Sequence, residues 1–545
     1  MKAKSPWEEG DPSSKICVLG EAPARTEMRL GAPLVGPSGD VFNDCLHAAG
    51  IARRECYILN IWPFMVTKGP KGSVIGPNGD VLWHDTYGMT EEGMKEAGPT
   101  IERMKACSAN VVITLGAPSL DLLYGKKRPM LKWRGSILYS ERIGKKYIPT
   151  IHPAATLHGV YTWRYLIIGD MEKALGEAAS PTHTPPDRNL IIRPSRAEVM
   201  EYFDVCENAG RLATDIEVIN HNVSLFSLSY RSDEALSVPF LNPKGEEYWD
   251  LDDEVAIWKR YAQVMGNPKV MKINQNIVGF DSVFLLSQCN VFTDGPLGDP
   301  MIAQSIMYPD FKMGLDFIAS VHTKEPYWKD EGKIWKANHK IDWDTFQRYC
   351  AKDSCVALEA WDVLAAEMTE GDYWPTYNMT IALAKPLAYM AIRGLKVDRD
   401  GLARTKITLE QEIAVKEKEL EDVAEYSFNP ASPQQCAKYF YEHCGHKPYI
   451  NVYGGISTDD KALTRLARKG ERGSREAKIC QEIRGLKKLK GTYIEVELDT
   501  DDRLRCSWNP RGTVFGRLSS SKTLMGTGMN LQNLHPKFKG FIVAG

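Results

Sequence analysis

The sequence predicts a multidomain α/β chain that becomes mainly helical towards its end, and three observations carry that prediction. At 545 residues it exceeds what a single hydrophobic core organises, so about three or four domains are expected. Short β-rich runs alternate with helical patterns twice in succession. A Pro/Thr/Ser stretch, residues 179–189, separates the two series as a linker would.

The first α/β series occupies residues 1–178, with Ile16-Cys17-Val18-Leu19 and Val111-Val112-Ile113-Thr114-Leu115 as its clearest strands. The glycine-rich run 68–79 matches no phosphate-loop pattern and reads as a surface insertion. The second series spans 190–370. From 371 to 545 apolar residues recur at helical spacing, as in Leu402, Leu409, Ile413, Leu420 and Val423.

Composition narrows the class. No apolar run is long enough to cross a bilayer, and the N-terminus has no hydrophobic segment of the signal-peptide kind. Twelve cysteines without a CxxC pair suit reduced thiols in a cytoplasm. The formal net charge is only −2, yet residues 371–545 hold 28 Lys/Arg against 21 Asp/Glu. Between Lys461 and Lys490 there are eleven basic and three acidic residues. Such a stretch attracts phosphate backbones through counterion release, or is a solvated helical face.

The middle domain carries the most specific chemistry. Asp215 and Glu217 lie two apart in the strand-like run 211–218, which places both carboxylates on one face. Asn276-Ile277-Val278-Gly279-Phe280-Asp281 follows, and Tyr349 and Asp353 then share a helix face at i and i+4. In this order, with the Asp299-Pro300 and Leu315-Asp316 segments between them, the motifs resemble those of the proofreading 3′–5′ exonucleases attached to DNA polymerases. The resemblance implies a ribonuclease H-like domain that takes two Mg2+ or Mn2+ ions. Hard cations prefer such carboxylate oxygens and serve phosphodiester hydrolysis. It further implies that Asp215 bridges both ions, that Glu217 and Asp353 complete the first site, that Asp281 supports the second, and that Tyr349 orients the attacking water. The bland alternative is a set of unrelated acids on strand ends and helix faces.

In the first domain, Gly20-Glu21-Ala22-Pro23-Ala24-Arg25-Thr26-Glu27 and the following Gly31–Gly39 stretch resemble the first motif of family 4 uracil-DNA glycosylases. Tyr57-Ile58-Leu59-Asn60, Thr114-Leu115-Gly116 and His152-Pro153-Ala154 extend the likeness. The resemblance implies a glycosylase-like α/β sandwich whose pocket is marked by Glu21, Glu27, Leu34, Asn60 and His152. In that pocket Glu27 would handle water, Asn60 would bind the base and His152 would stabilise its developing charge. Two departures stand out. Cys17, Cys45, Cys56 and Cys107 lack the spacing of a four-cysteine cluster, so no iron–sulfur cluster is expected. Leu34 occupies the place of the aromatic residue that stacks on a flipped base, a contact worth about 1–3 kcal/mol.

The last part resembles the family A DNA polymerase domain: a mainly helical thumb and the start of a palm. The matching stretches are 386–398, 428–435, 455–459 and the basic element 484–493. The resemblance implies DNA contacts from Lys487, Lys488, Lys490, Thr492, Arg517, Ser519, Asn530 and Gln532. The palm aspartates and fingers of that family do not follow, so nucleotidyl transfer by this chain alone is not expected. A split polymerase, a shortened nuclease and a truncated chain are the open explanations. The apolar run Phe541-Ile542-Val543-Ala544 reads as an unpaired strand edge on which a second polypeptide with palm and fingers would dock. The arrangement resembles bacteriophage replicative polymerases, which would work in a host bacterial cytoplasm on primer–template DNA and single-stranded 3′ ends. A different class stays open: a non-catalytic clamp that holds primer–template for a partner.

Overall fold

Period-two alternation in the first β-runs sets the architecture of the N-terminal domain. In β2 (Ile16–Gly20), Ile16 and Val18 enter one core with Phe42 and Leu46, while Cys17 and Leu19 enter another with Trp62 and Leu120. A strand with apolar residues on both faces must be covered on both, so it sits inside a parallel sheet. The computed structural model describes residues 6–242, 244–332, 342–451 and 454–544 and places β2 there. With β1 (Glu8–Glu9), β3 (Cys56–Asn60), β4 (Val111–Leu115), β5 (Leu138–Ser140) and β6 (Lys145–Thr150), the order is β1-β3-β2-β4-β6-β5. The four inner strands are parallel and both edges antiparallel. Helices α1 (Arg25–Leu30), α2 (Pro37–Ala48) and α3 (Trp163–Glu177) belong to this layer system.

The run 68–79 is more than an insertion. Together with residues as far as Met89 it forms a four-stranded antiparallel sheet. Val74, Leu82 and Trp83 are buried in the domain core, and that burial is what orders the glycine-rich loops between them.

The middle domain is a second six-stranded sheet. Its strands are β7 (Asn189–Ile191), β8 (Arg211–Ile219), β9 (Asn222–Arg231), β10 (Glu234–Pro239), β11 (Met271–Ile273) and β12 (Leu297–Gly298). They run in the order β7-β10-β9-β8-β11-β12, with β8, β9 and β10 antiparallel and β11 and β12 parallel to β8. Helices α4 (Asp281–Cys289), α5 (Pro300–Met307), α6 (Leu315–His322) and the 28-residue α7 (Trp343–Glu370) complete it. The stretch 179–189 ends in a buried cation: Arg188 pairs with Glu325 at 3.0 Å and Glu359 at 2.5 Å.

These two domains form one compact unit, Met1–Ile381, and their junction is polar and specific. Arg134 is buried, forms an ion pair with Asp170 and reaches Ser320 of α6 at 3.1 Å. Lys173 donates to the carbonyls of Ser320 and Thr323, both at 2.7 Å. Gly135 permits the approach: its φ is +73°, and a Cβ there would lie 2.7 Å from both Asp170 Oδ1 and the Ser320 carbonyl.

The second unit, Ala382–Gly545, is largely helical around α8 (Arg399–Ala424), α9 (Asp460–Ala467) and α10 (Ser474–Leu489). The expected apolar stripe of α8 is buried at Leu402, Leu409, Ile413 and Leu420, while Val423 is partly buried. Strand β13 (Leu395–Lys396) pairs with β14 (Arg503–Leu504). The run 541–543 differs from the free edge expected of it. Val397 bridges Ile542, the Asp398 N–H donates to the Phe541 carbonyl at 2.8 Å, and the Val543 N–H donates to Lys396 at 3.1 Å. One side of that strand is therefore occupied within the chain, and Phe541 and Ile542 pack on the local core. No helix among the described residues is long and apolar enough to cross a membrane.

Because Asp170 neutralises the buried Arg134 and also accepts from Thr150 at 2.6 Å, Asp170→Ala should destabilise the first unit by about 3–5 kcal/mol. Urea unfolding monitored by tryptophan fluorescence measures this; a loss below about 1 kcal/mol would show the pair to be dispensable.

Candidate functional site

Strand β8 supplies the first two acids. Asp215 and Glu217 project from one face, while Ile216 turns into the core opposite Phe226. Asp353 arrives from α7, and its ligand oxygen lies within 4.8 Å of those of Asp215 and Glu217. Tyr349 stands one helical turn before it, on the same face. Asp281 lies outside that close group, in the first turn of α4, where the helix dipole favours an anion. Asn274 reaches into the group and donates to Asp215 Oδ1 at 3.2 Å.

The electrostatics of this arrangement are costly. Burial, then the charges of Asp353, Glu217 and Asp281, push the Asp215 carboxyl well above the usual carboxylate range. Burial likewise raises Asp281, whose Oδ1 is buried and has no hydrogen-bond partner. An orphaned buried carboxylate oxygen beside three convergent acids suits a hard cation, because nothing in the protein satisfies it. The Tyr349 phenol is raised far above its ordinary value, by burial first and by the Asp353 charge second, and so stays protonated.

Sequence periodicity gave no hint of four further residues. Trp328 Nε1 donates to Asp353 Oδ1 at 2.6 Å, and Lys329 Nζ donates to Asp353 Oδ2 at 2.5 Å. Asn274 holds Asp215 as described. Asp299, noted in the sequence only as part of a segment, caps α5 and accepts from Asn276, Met301 and Ile302, which fixes the loop carrying Asn274. Burial pushes the Asp299 carboxyl up to about 6.

The glycosylase-like pocket is a separate cavity of about 550 Å³. Glu21, Glu27, Leu34, Asn60 and His152 all line it, so the structure brings together the five residues proposed for it. Their bonding is informative. Glu27 Oε1 accepts from Gly36 at 2.9 Å and Val35 at 3.3 Å, and Oε2 accepts from Ala24 at 3.2 Å. Asn60 Nδ2 donates to the Pro6 carbonyl at 3.1 Å. Leu34 is held in the left-handed region at φ 49°, braced by Arg53, which donates to the Leu34 and Pro33 carbonyls. His152 Nδ1 accepts from the Ala154 N–H at 3.2 Å, which leaves Nε2 as the protonated nitrogen. Of the four cysteines of this domain, Cys17 and Cys107 lie in one core cluster and Cys45 and Cys56 in the other.

In the second unit, β15 (Ser507–Asn509) and β16 (Ser519–Ser521) form a hairpin that carries Arg517 and Ser519. Ser520, not Ser519, organises it: its hydroxyl donates to Asn530 Oδ1 at 2.9 Å, and Gln532 Nε2 donates to the Leu518 carbonyl at 3.0 Å. The loop 523–529 is closed by Thr523 N–H to the Thr527 carbonyl at 2.8 Å. Arg517, Lys488 and Thr492 are exposed. Lys487 and Lys490 instead pair with Glu417 at 2.6 Å and Glu410 at 2.8 Å, which accounts for part of the basic excess inside the unit.

Comparison with known proteins assigns both ends of the chain. The uracil DNA glycosylase superfamily matches residues 7–163, and DNA polymerase family A matches residues 399–539. The chain joins a uracil-DNA-glycosylase-like segment to one similar to DNA polymerase family A. The type-4 uracil-DNA glycosylase of Thermotoga maritima is 29% identical over 168 residues, covering 30% of this chain and 79% of that protein. DNA polymerase I of Chloroflexus aurantiacus is 24% identical over 442 residues, covering 76% of this chain and 44% of that protein. DNA polymerase I of Rhizobium leguminosarum is 32% identical over 39% of this chain and 21% of its own length. The chain thus spans less than half the length of these polymerases. The solved POL domain of Pol1 from M. smegmatis, in complex with DNA primer-template and dNTP, superposes with a TM-score of 0.50 at 17% identity. That match covers 65% of this chain and 58% of the other, and at this identity it is a likeness of fold.

Burial lowers the His152 pKa, and the nearby Glu21 charge offsets this only in part. A base depressed in the folded state binds its proton more readily when unfolded. Its contribution to stability is therefore intact above the unfolded value of about 6.5 and is lost as pH falls through the folded one. NMR titration of the imidazole should give a midpoint below about 6.5; a midpoint above it would contradict a neutral, Nε2-protonated His152.

Proposed function

We propose that the middle domain is a metal-dependent 3′–5′ exodeoxyribonuclease and that the polymerase segment presents primer–template DNA to it. One observation carries this reading: three carboxylates from two elements converge within 4.8 Å, beside a fourth whose buried oxygen has no partner. Two others support it. The strand order β10-β9-β8-β11-β12, with β9 antiparallel to its neighbours, is that expected of a ribonuclease H-like sheet. The match to Chloroflexus polymerase I covers too much of the chain to avoid residues 190–370.

Asp215, Glu217 and Asp353 would hold one Mg2+ or Mn2+ ion, and Asp215 with Asp281 a second. When bound, such ions lower the pKa of water and stabilise the leaving oxygen of a phosphodiester. The chain's own groups do the rest. Asn274 fixes the orientation of Asp215, and Asp299 fixes the loop bearing Asn274. Tyr349 keeps its proton and offers a hydroxyl beside Asp353 for aligning the attacking water. Arg517, Ser519, Asn530 and Gln532 form the surface to which a primer–template would bind, with Lys488 and Thr492 as exposed phosphate contacts. A non-catalytic clamp would share that surface but not the acids. The full-length chain should therefore trim a labelled single-stranded 3′ end with Mg2+ or Mn2+, and Asp215→Ala should reduce trimming by at least about 1000-fold. Trimming retained in that variant would overturn the assignment.

For the N-terminal domain the bonding favours base recognition without excision. Both Glu27 oxygens are occupied by backbone N–H donors, and Leu34 provides no aromatic face. Uracil-containing DNA incubated with the chain and then with alkali should remain uncut; breaks at uracil would establish a working glycosylase.

A further inference from the structure

The segment 325–332 joins the two domains of the first unit through alternate side chains. Tyr327 is buried in the core of the glycosylase-like domain, its ring 5.4 Å from that of Trp133, and its N–H donates to Ser136 Oγ at 3.2 Å. Asp330 pairs with Lys132 at 3.1 Å and accepts from the Tyr327 hydroxyl at 2.9 Å. Between these anchors, Trp328 and Lys329 point the other way, into the carboxylate cluster. Each donates to a different oxygen of Asp353. The Lys329 ammonium also lies 3.4 Å from the Tyr349 hydroxyl and 5.3 Å from its ring centroid. Gly332 closes the strap on the same ring, where a Cβ would come within 2.5 Å of Tyr349.

We propose that Lys329 is a positioning residue for the nuclease, holding Asp353 and countering the charge of the acid cluster, and that the glycosylase-like domain anchors it there through the strap. The inference rests on the exonuclease reading. Two features of the geometry support it. Asp353 has both oxygens engaged by adjacent residues of one strap, so its orientation depends on where the strap sits. A cation 2.5 Å from Asp353 Oδ2 occupies space and charge that a divalent ion would take. The ammonium therefore keeps the site from overbinding metal before DNA arrives, while it fixes the carboxylate and phenol that serve the water.

The opposing effects separate this role from simple packing. In the full-length chain, Lys329→Met should bind Mn2+ roughly tenfold more tightly by isothermal titration calorimetry, because a like charge has gone. The same variant should lose about 10–100-fold in kcat for 3′-end trimming at saturating Mn2+, because Asp353 is no longer held. Lys329→Arg should recover most of the turnover. Lys132→Glu, which repels Asp330 at the anchor, should lower kcat about fivefold and tighten Mn2+ binding less than Lys329→Met does. Trimming by the native chain with unchanged Mn2+ affinity in Lys329→Met would overturn the Lys329 assignment, and unchanged kcat in Lys132→Glu would overturn the anchoring. Absence of trimming by the native chain would instead overturn the exonuclease reading. Circular dichroism of each variant at matched temperature distinguishes these outcomes from unfolding.

Discussion

Four neighbouring carboxylates, three of them buried and Asp215 partly so, constitute the constraint on which the first unit depends. Like charges removed from water raise one another's proton affinity, and Asp215, beside Asp353, Glu217 and Asp281, is held well above the usual carboxylate range. A fold that keeps them together must supply compensation from several directions. Here it comes from the amide of Asn274, the N-terminus of α4 beneath Asp281, and the indole and ammonium of Trp328 and Lys329 on Asp353. Each comes from a different element, so β8, α4, α7 and the strap are tied to one electrostatic problem. Burial opposes the charge on Lys329, yet Asp353, Asp215 and Glu217 together hold its ammonium above the ordinary lysine value.

The same logic extends to the domain junction. Arg134 and Lys173 are cations whose partners lie on both sides of the boundary: Asp170 in α3, Ser320 and the backbone of 320–323 in the middle domain. Burial lowers the Lys173 pKa to about 8, so this contact operates close to neutrality. A junction of this kind fixes geometry more than it adds stability, since hydrogen-bonded buried charges must keep their partners in place. That property suits a scaffold required to hold the strap over the acid cluster.

Legibility in the sequence followed the range of the interaction. Asp215 with Glu217, and Tyr349 with Asp353, were readable because period two and the i,i+4 relation are local consequences of strand and helix geometry. The inner strands of the first sheet were readable for the same reason: Cys17 and Leu19 alternate with Ile16 and Val18 between two cores. Lys329 and Asn274 were not, since neither shares an element with the acid it contacts. Ser520 was not singled out because three consecutive serines give no side preference until the hairpin register puts Ser520 inside, where it hydrogen-bonds Asn530. The basic excess between Lys461 and Lys490 counted charges without their partners; Glu417 and Glu410, on α8, pair with two of them. The final apolar run looked free because its partner, β13, lies more than a hundred residues earlier.

Glu27 shows how one carboxylate can organise the wall of a pocket. A carboxylate at the start of α1 is a strong acceptor for the unpaired N–H groups of a helix entrance and of the neighbouring loop. Glu27 meets three of them, at Ala24, Val35 and Gly36. Those bonds fix the loop that carries Leu34 in its left-handed conformation, and with it the wall of the pocket. A residue serving that structural purpose persists whether or not it activates water. Asn60 and His152, which line the same pocket, are held by different contacts, at Pro6 and Ala154. The two sides of the cavity are thus held independently of each other, and Leu34 shapes its wall without an aromatic face. A domain kept for shape can then serve a second purpose, as the fixed wall against which Tyr327 and Asp330 brace the strap.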